Sequence, residues 1–404
     1  MNRHVKILLI IMIFPILSGF KFKGSKNRSI NKMTLEEKDA QMIMIRVRGD
    51  FYNSESAYFR QLKSTVSNYN IGGLITFGGS VHGTFYNLKE LQGVSNIPLL
   101  IGADYERGLG GWMDGATLFP TNMAIAATGN DNYAYKQGQI TAKEAKAIGV
   151  HMVFAPVLDI NNNAENPIIN FRSYSDDKKI VSKFGSAFIK GIQDGGLYAC
   201  AKHYPGHGNT SVDSHTSLPK ISGDYSYLAD NELYPFKHAV DNGVKMIMVG
   251  HIAMPGIDSS GVPATYSSII TEDIIRKRWG YNGLLITDAL EMGALSEIAW
   301  AGESAIRAVE AGADILLLPS DVKNTIKSIV DAVKGGRLPE ERIDESVKRI
   351  IKAKIELGLY DSKTKATWEN VTKEIGTTNH RKTANEIARR SITLVKDSGT
   401  IPLK

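Results

Sequence analysis

Eight short apolar runs recur along this chain of 404 residues, each followed by polar or glycine residues and separated from the next by a helix-like stretch. They cover residues 41–47, 72–77, 98–104, 151–159, 198–203, 245–251, 283–288 and 313–319. Continuous apolar runs, unlike alternating ones, are typical of strands buried on both faces, as in a parallel sheet covered by helices. Eight strand–helix units in this order predict a (β/α)8 barrel of the TIM type.

Chemically capable residues stand at the ends of several of these runs. They are Asp104, Asp159, Lys202 with His203, His251 and Asp288. Barrels of this type build their active sites at the carboxyl ends of the strands, so these side chains are expected to converge on one mouth. A doubly wound sheet is the alternative fold, but it would place a ligand at a single switch point and would not explain functional residues after five strands.

The barrel is predicted to span residues 34–360. A capping-box pattern at Thr34 and Glu37 opens it, and a helix over 344–358, ended by Gly358, closes it. Residues 361–404 then contain a polar stretch, a last helix near 382–390 and a strand-like segment at 391–395. We interpret them as a short helix–strand linker that would enter a further domain.

The first residues have the order of a secretory signal. A basic start is followed by an apolar run over residues 7–17 and by small residues at 18 and 19. That run is short for a membrane span, which takes about 20 residues. We therefore interpret residues 1–23 as a signal peptide or, alternatively, as an uncleaved signal-anchor that would associate with a membrane through residues 7–17. Either way the folded body is expected to be exported, to the periplasm or the cell surface.

Composition excludes several classes of protein. Hydrophobic residues make up 43% and charged residues 22% of the chain, as in globular proteins, which argues against disorder and against a polytopic membrane protein. Seven basic residues and no acid lie in residues 1–33, so the remainder has a formal charge of −1 and nucleic acid is not an expected partner. The single cysteine, Cys200, excludes an intrachain disulfide and a CxxC zinc site.

The densest group of polar residues is the segment 201–215, AKHYPGHGNTSVDSH. Three histidines, a lysine and an aspartate follow a predicted strand and are interrupted by proline and glycine, so the segment is a loop whose polar side chains face water, a ligand or one another. Two interpretations stay open at this point. Either His203, His207, Asp213 and His215 ligate a metal, or Asp213 and His215 form an acid/base pair.

The patterns K-H-[FY]-P-G-H-G and D-S-H, separated by four residues, resemble the signature of glycoside hydrolase family 3, in its β-N-acetylglucosaminidase branch. This chain supplies them at 202–208 and 213–215. The resemblance extends over roughly residues 34–358 and includes EEKDAQMIM at 36–44, APVLDI at 155–160, NFRSYSDD at 170–177 and ITDALEMGAL at 286–295. It implies the same barrel fold and a glycosidase that acts on an oligosaccharide without a cofactor or a metal.

By this resemblance Asp288 is the nucleophile, which attacks the anomeric carbon to give a covalent glycosyl-enzyme with retention of configuration. His215 is the general acid/base, in place of the second carboxylate of most glycosidases. Asp213, two residues earlier, is suited to stabilise and orient the imidazolium of His215. A neutral imidazole also spares an anionic acceptor the repulsion of a carboxylate, so the resemblance leaves transfer to phosphate open beside transfer to water.

The resemblance also implies sugar-hydroxyl ligands at Asp104, Arg172, Lys202 and His203. Asp104 offers an acceptor to two vicinal hydroxyls, whereas Lys202 and Arg172 offer only donors. Such bonds assist the rate when they strengthen in the transition state. His251 is a further candidate for substrate contact from its place at a strand end, with packing in the barrel wall as the alternative.

The chain departs from the family pattern at three places. The usual D-x-E-G-G-R stretch is replaced at 104–110 by DYERGLG, so the turn after that strand is altered, and Arg107 and its neighbours could bind something new. Ala289 follows the nucleophile where a second acid is common, and Tyr174 with Ser175 replaces a common Phe-Gly. None of these changes removes a predicted catalytic group.

The tail at 391–403 resembles the entrance to the second α/β domain of many relatives, which in the β-glucosidase branch supplies a glutamate as acid/base. Because Asp213 and His215 give the barrel its own acid/base, we expect N-acetylglucosaminide to be preferred over glucoside. The predicted function is a retaining exo-β-N-acetylhexosaminidase acting on cell-wall fragments or chitin oligomers. The alternatives are a β-glucosidase-type enzyme, phosphorolysis of the same linkage, a metal-dependent barrel hydrolase and a non-catalytic glycan-binding protein.

Overall fold

The computed structural model describes residues 30–53, 55–214, 217–361, 366–399 and 401 of the chain. Residues 1–23, which include the predicted signal and its apolar run at 7–17, lie outside the described residues, as does His215. The strands of the described part are β1 (Ile43–Arg48), β2 (Gly73–Phe77), β3 (Leu100–Ala103), β4 (Met152–Val153), β5 (Tyr198–Tyr204), β6 (Met246–Val249), β7 (Leu284–Thr287) and β8 (Leu316–Leu317). Each overlaps one of the eight apolar runs of the sequence.

The eight strands form one parallel sheet that closes on itself. Neighbours follow chain order from β1 to β7, and β8 pairs with β1, where Met44 lies opposite Leu317. The ring closes between β7 and β8, where Ile286 and Ile315 form a parallel bridge. The prediction of a (β/α)8 barrel is thereby confirmed. The doubly wound alternative is wrong, because an open sheet would leave two unpaired edges.

Helices connect the strands on the outside of the barrel. Before β1 lies α1 (Leu35–Gln41), whose N-terminus has the predicted capping box between Thr34 and Glu37. The connections from β1 to β6 contain α2 (Ala57–Tyr69), α3 (Val81–Val94), α4 (Asn122–Ala127), α5 (Asn132–Ile148), α6 (Lys178–Asp194), α7 (Tyr225–Asp230) and α8 (Tyr234–Asp241). The later helices are a π-helix (Ile269–Arg278), α9 (Gly293–Ser296), α10 (Ala301–Ala311), α11 (Val322–Lys334), α12 (Glu340–Glu356), α13 (Trp368–Glu374) and α14 (Thr378–Arg390). No helix in the described ranges is both long and apolar enough to cross a membrane.

Alternate residues of each strand point to opposite sides of the sheet, as the period of two in a β-strand requires. One set packs against the surrounding helices and includes Leu74, Ile101, Ala199, Ile247 and Leu285. The other set fills the inside of the barrel and includes Met44, Ile75, Leu100, Cys200, Met246 and Leu284. The interior is therefore a packed hydrophobic core, and a ligand has access only from an end of the barrel.

The segment after the barrel, predicted as a linker over 361–404, packs against the barrel through two helices. α13 contacts α5, and α14 contacts α4 and α5. The buried carboxylate of Glu144 on α5 accepts hydrogen bonds from Gly376 N (2.9 Å) and His380 Nδ1 (2.9 Å) of the tail, and from Thr117 N (3.1 Å) of the loop after β3. Burial by itself would raise the pKa of Glu144, but its hydrogen bonds to His380 and Thr117 lower it.

The strand part of the predicted linker is not formed. Residues 392–397 are neither helical nor paired as a strand, and the side chains of Ile392, Leu394 and Val395 are exposed. An extended segment has little stability of its own without a neighbouring strand. The helix part of the prediction, near 382–390, is confirmed as the second half of α14.

A buried aspartate joins the last strands of the barrel to α12. Asp314, just before β8, accepts through Oδ2 from the backbone N of Leu285 (2.9 Å) and from Arg276 Nη2 (2.7 Å). Its Oδ1 accepts from Ser346 Oγ (2.8 Å) and from Arg349 Nη1 (3.0 Å) on α12. The carboxylate therefore has four donors at the point where the ring closes, and its removal would take the anion from the buried guanidinium of Arg276.

We expect Asp314→Ala to lower the free energy of unfolding by about 3–5 kcal/mol, because removing one partner of a buried ion pair leaves uncompensated charge. Asp331→Ala is the matched control. Asp331 forms an ion pair with Lys327 on the surface of α11, and the loss of such a pair changes stability by about 0–1 kcal/mol. Urea unfolding followed by circular dichroism measures both variants. Equal stability of the two would contradict the role assigned to Asp314.

Candidate active site

The alternation of side chains brings three predicted strand-end residues to the inside of the barrel. On β3, β5 and β7, residues two or four positions before Asp104, Lys202 and Asp288 belong to the hydrophobic core inside the barrel. The same period places the three polar side chains on the inner face, one step beyond the apolar core. They therefore meet at the carboxyl end of the barrel, as the sequence predicts.

Asp104, Glu106, Arg172 and Lys202 form one network of charges at this end. Lys202 Nζ lies 2.6 Å from Asp104 Oδ1 and 2.7 Å from Glu106 Oε1. Arg172 donates two hydrogen bonds to Glu106, from Nε at 3.1 Å and from Nη2 at 2.7 Å. Two carboxylates balance two cations, and Lys202 is buried between the carboxylates. Such a network holds donors and acceptors at fixed positions for a polar ligand.

The network keeps its buried members ionised. Burial would raise the pKa of Glu106, but Lys202 and Arg172 lower it well below its ordinary value. Burial would lower the pKa of Lys202, but Asp104 and Glu106 raise it above its ordinary value. Glu106 and Lys202 are therefore charged throughout the neutral range.

His203 is held by Asp159, a buried carboxylate that follows β4. Asp159 Oδ2 lies 2.8 Å from His203 Nδ1, and its Oδ1 accepts from the backbone N of His207 at 2.6 Å. His203 Nε2 faces Arg172 Nη2 at 3.5 Å. Asp159 and Arg172 therefore contact the two ring nitrogens of His203 and hold the ring in place. Burial would raise the pKa of Asp159, but its contacts with His203 and His207 lower it.

Asp288 directly follows β7, which lies four strands away from β3, the strand before Asp104, in the ring of eight. Its Oδ1 accepts from the backbone N of Ala289 at 2.8 Å, which orients the carboxylate. Burial would raise the pKa of Asp288, but the nearby His203 and His251 and the N–H of Ala289 lower it below its ordinary value. The carboxylate is therefore ionised at neutral pH, which is the state required of a nucleophile.

The loop after β5 carries Asp213 and is fixed to the barrel at Ser214. Ser214 Oγ lies 3.0 Å from His207 Nε2, and the Ser214 carbonyl accepts from the backbone N of Ala294 at 3.3 Å. Ser214 is buried and Asp213 is half-buried. The loop of the predicted acid/base therefore touches the segment that follows the predicted nucleophile. Because His215 lies outside the described residues, its role and its pairing with Asp213 stay predictions.

His251 is buried in the wall of the barrel. Its Nδ1 lies 2.7 Å from Thr265 Oγ1, and its Nε2 lies 2.9 Å from the carbonyl oxygen of Ala289, the residue next to Asp288. Both ring nitrogens contact protein groups, which favours the wall-packing alternative and lets the ring help to position Asp288. Substrate contact by His251 stays a prediction.

No group of three or more histidine, cysteine, aspartate or glutamate side chains within the described ranges is arranged to hold a metal ion. His203 and His207 are two of the four candidate ligands. His203 contacts Asp159 and Arg172, and His207 contacts Thr210 and Ser214. These contacts use the ring nitrogens that would bind a metal, so they favour the acid/base interpretation of this segment.

Glu106 and Asp159 belong to the site, but the sequence prediction leaves Glu106 out and gives Asp159 only a place at the mouth. Glu106 stands two residues after Asp104, and its acidic side chain at that spacing is the signal that could have found it. Asp159 stands at the end of an apolar run, but the pattern does not show that it holds His203 instead of a ligand. The partners of both carboxylates come from distant parts of the chain.

Comparison with known proteins gives three informative matches. Beta-hexosaminidase A of Pseudoalteromonas piscicida is 33% identical over 377 residues, which cover 85% of this chain and 62% of that protein. A glycoside hydrolase family 3 beta-N-acetylglucosaminidase from Paenibacillus sp. str. FPU-7 is 35% identical, with a TM-score of 0.84 over 91% of this chain and 70% of that chain. A structure of the beta-glucoside phosphorylase BglX is 28% identical, with a TM-score of 0.86 over 93% of this chain and 68% of that chain.

The chain spans about three fifths of the length of the relative from P. piscicida. A family model described as the glycosyl hydrolase family 3 N terminal domain matches residues 34–353, which contain all eight strands and the charged network at their carboxyl ends. This chain belongs to glycosyl hydrolase family 3.

Proposed function

We propose that the chain is a retaining exo-β-N-acetylhexosaminidase, which hydrolyses terminal β-linked N-acetylglucosamine through a covalent glycosyl-enzyme. The observation that carries the proposal is the meeting of Asp288 with the Asp104–Lys202 network at one end of a family 3 barrel. The names of two relatives support the same substrate, since one is a beta-hexosaminidase and the other a beta-N-acetylglucosaminidase.

The charged network would bind the terminal sugar. Asp104 would accept hydrogen bonds from sugar hydroxyls, while Lys202 and Arg172 would donate to them. The anomeric carbon would then face Asp288 across the mouth. The ionised carboxylate attacks this carbon as the bond to the leaving oxygen breaks, which gives the covalent glycosyl-enzyme.

Proton transfer is assigned to His215. Its imidazolium donates a proton to the leaving oxygen, and the carboxylate of Asp213 stabilises the charged ring. In the second step the neutral imidazole takes a proton from water, which attacks the anomeric carbon and releases Asp288. Ser214 stands between the two members of the pair in the sequence, and its contact with His207 holds the described part of this loop.

The natural substrates that we propose are fragments of the cell wall (peptidoglycan) or chitin oligomers, both of which contain β-linked N-acetylglucosamine. Such substrates agree with export to the periplasm or the cell surface, which we propose on the sequence of residues 1–23 alone. Cleavage of that segment would release the protein, whereas retention of the apolar run 7–17 would attach it to a membrane.

Phosphorolysis of the same linkage is the second candidate function. The similarity to a beta-glucoside phosphorylase favours it. A histidine acid/base is neutral when the acceptor enters, so it does not repel phosphate as a second carboxylate would. Dependence of the rate and of the product on phosphate distinguishes this reaction from hydrolysis.

We expect nitrophenol to be released from an aryl β-N-acetylglucosaminide with kcat/KM about tenfold or more above that for the matched β-glucoside. The expectation rests on the similarity to a beta-hexosaminidase and a beta-N-acetylglucosaminidase. The assay uses the chain without residues 1–23, with and without phosphate. Stimulation by phosphate together with formation of a sugar phosphate would establish phosphorolysis. Activity on neither substrate would contradict the proposed function and favour a glycan-binding role.

Replacement of Asp288 by alanine should lower kcat/KM about a thousandfold or more, because the first step loses its nucleophile. Added azide should then form a glycosyl azide of inverted configuration, since a single displacement inverts the anomeric carbon. Proton NMR of the product identifies the anomer. Asp176→Ala removes an exposed carboxylate and is the control. Activity of Asp288→Ala at the wild-type level would refute the assignment of the nucleophile.

Asp213→Asn should slow the cleavage of substrates with poor leaving groups about 10- to 1,000-fold and should affect nitrophenyl substrates less, because nitrophenolate leaves with little help from a proton. His215→Ala should show the same pattern. The control is His238→Ala, since His238 contacts Ser186 away from the mouth. Equal losses of kcat/KM on good and poor leaving groups would argue against proton transfer by this pair.

A further inference from the structure

The altered turn after β3 displays a tryptophan at the mouth of the barrel. The backbone N of Phe119 donates to the carbonyl of Arg107, and Arg107 Nε donates back to the carbonyl of Phe119 at 3.2 Å. Arg107 is thereby bonded within the turn. Gly108 has a φ of +72°, a conformation that favours glycine, and it leads into the short helix Leu109–Gly111 that precedes Trp112.

Trp112 lies next to Asp104, the predicted sugar ligand. Its Nε1 donates to the Asp104 carbonyl at 2.6 Å, and its ring meets the ring of Phe77 in a T-shaped contact with centroids 5.5 Å apart. A T-shaped contact covers at most one face of the indole. Trp112 is 42% exposed, so much of its aromatic surface is open to a ligand.

Phe77 and Arg46 extend this surface from the inner faces of β2 and β1. Each stands two residues after a residue of the inner core, so both side chains point to the inside of the barrel. On the pairing of β2 with β3, Thr76 lies opposite Ala103, so Phe77 follows opposite Asp104. The guanidinium of Arg46 lies 5.3 Å from the centroid of the Phe77 ring, a cation–π distance.

Glu291 completes the surface from the loop after β7, three residues beyond Asp288. Its Oε1 lies 2.5 Å from Arg46 Nη2, and both side chains are partly exposed. An exposed ion pair of this kind contributes little to stability, but it offers donors and acceptors beside an aromatic surface. We call the four side chains, Arg46, Phe77, Trp112 and Glu291, the rim cluster.

We propose that the rim cluster binds the sugar on the leaving-group side of the cleaved bond and so makes the enzyme select oligosaccharides over simple glycosides. The ligand is a pyranose, with one apolar face packed on Trp112 and hydroxyls bonded to Arg46 and Glu291. Aromatic surface with a few fixed polar groups is the usual composition of such sites. The inference rests on the proposed function, because it places the terminal sugar inside the barrel.

The position of the rim cluster matches this ligand. An exo-acting enzyme holds the terminal sugar in the barrel, so the next sugar of the chain has to lie at the mouth. The cluster joins the two groups that flank the terminal sugar, because Trp112 is bonded to Asp104 and Glu291 follows Asp288. The bond to Asp104 also fixes the indole before the ligand arrives, which reduces the entropy lost on binding.

The test compares kcat/KM for a β-1,4-linked N-acetylglucosamine disaccharide with kcat/KM for methyl β-N-acetylglucosaminide. Trp112→Ala should lower the ratio of the two values about tenfold, the effect of one lost aromatic contact. Trp112→Phe, which keeps an aromatic face but loses the bond to Asp104, should retain most of the ratio. Trp368→Ala is the matched control, since Trp368 is a partly exposed tryptophan that packs on α3 outside the mouth.

Equal losses on the two substrates in Trp112→Ala and Trp112→Phe would mean that Trp112 acts only by supporting Asp104, and the inference would be overturned. Equilibrium binding to Asp288→Asn separates the inference from the proposed function. The disaccharide should bind this variant about tenfold more tightly than N-acetylglucosamine does, and adding Trp112→Ala should remove the difference. Hydrolysis of neither substrate by the wild type would refute the proposed function, whereas equal affinity for the two sugars would refute the rim cluster as a sugar site.

Discussion

The strand-end side chains of the candidate site depend on the closure of eight parallel strands into a ring. Closure determines which side chains point to the inside of the barrel. Apolar side chains fill this interior, so inward polar side chains reach solvent at the carboxyl end of the strands. β3, β5 and β7 each contribute one such residue, Asp104, Lys202 and Asp288. The seam between β7 and β8 holds the ring together through the donors around Asp314. The site is thus a consequence of the same geometry that builds the core.

Charged groups at the mouth have to coexist with the apolar core directly beneath them. Lys202 does so because two carboxylates, Asp104 and Glu106, lie within hydrogen-bond distance of its ammonium group. An unpaired lysine at this depth would lose its proton. The contacts that keep Lys202 charged also fix Asp104 in one orientation, so affinity for a ligand and stability of the fold cannot be separated at these positions. Substitutions in the network would therefore change both.

The fold and part of the site could be predicted from the sequence because they depend on local pattern. Eight apolar runs define the strands, and a period of two carries Asp104, Lys202 and Asp288 inward. The pairing of Arg172 with Glu106 could not be predicted, because it joins a short helix after β4 to a turn after β3. The strand predicted at 391–395 is not formed, because an apolar pattern in the sequence does not supply the neighbouring strand with which it would pair. The roles of His215 and of residues 1–23 stay predictions.

The buried carboxylate of Glu144 decides how much of this chain can be moved between proteins as one unit. It takes hydrogen bonds from Thr117, in the turn that presents Trp112, and from Gly376 and His380 beyond the barrel. A chimera joined at residue 360, where the barrel pattern of the sequence ends, would leave this carboxylate buried with only part of its donors, which is destabilising. The transplantable unit therefore extends through α14, and the mouth of the barrel takes part of its rigidity from residues that a domain swap at the barrel boundary would discard.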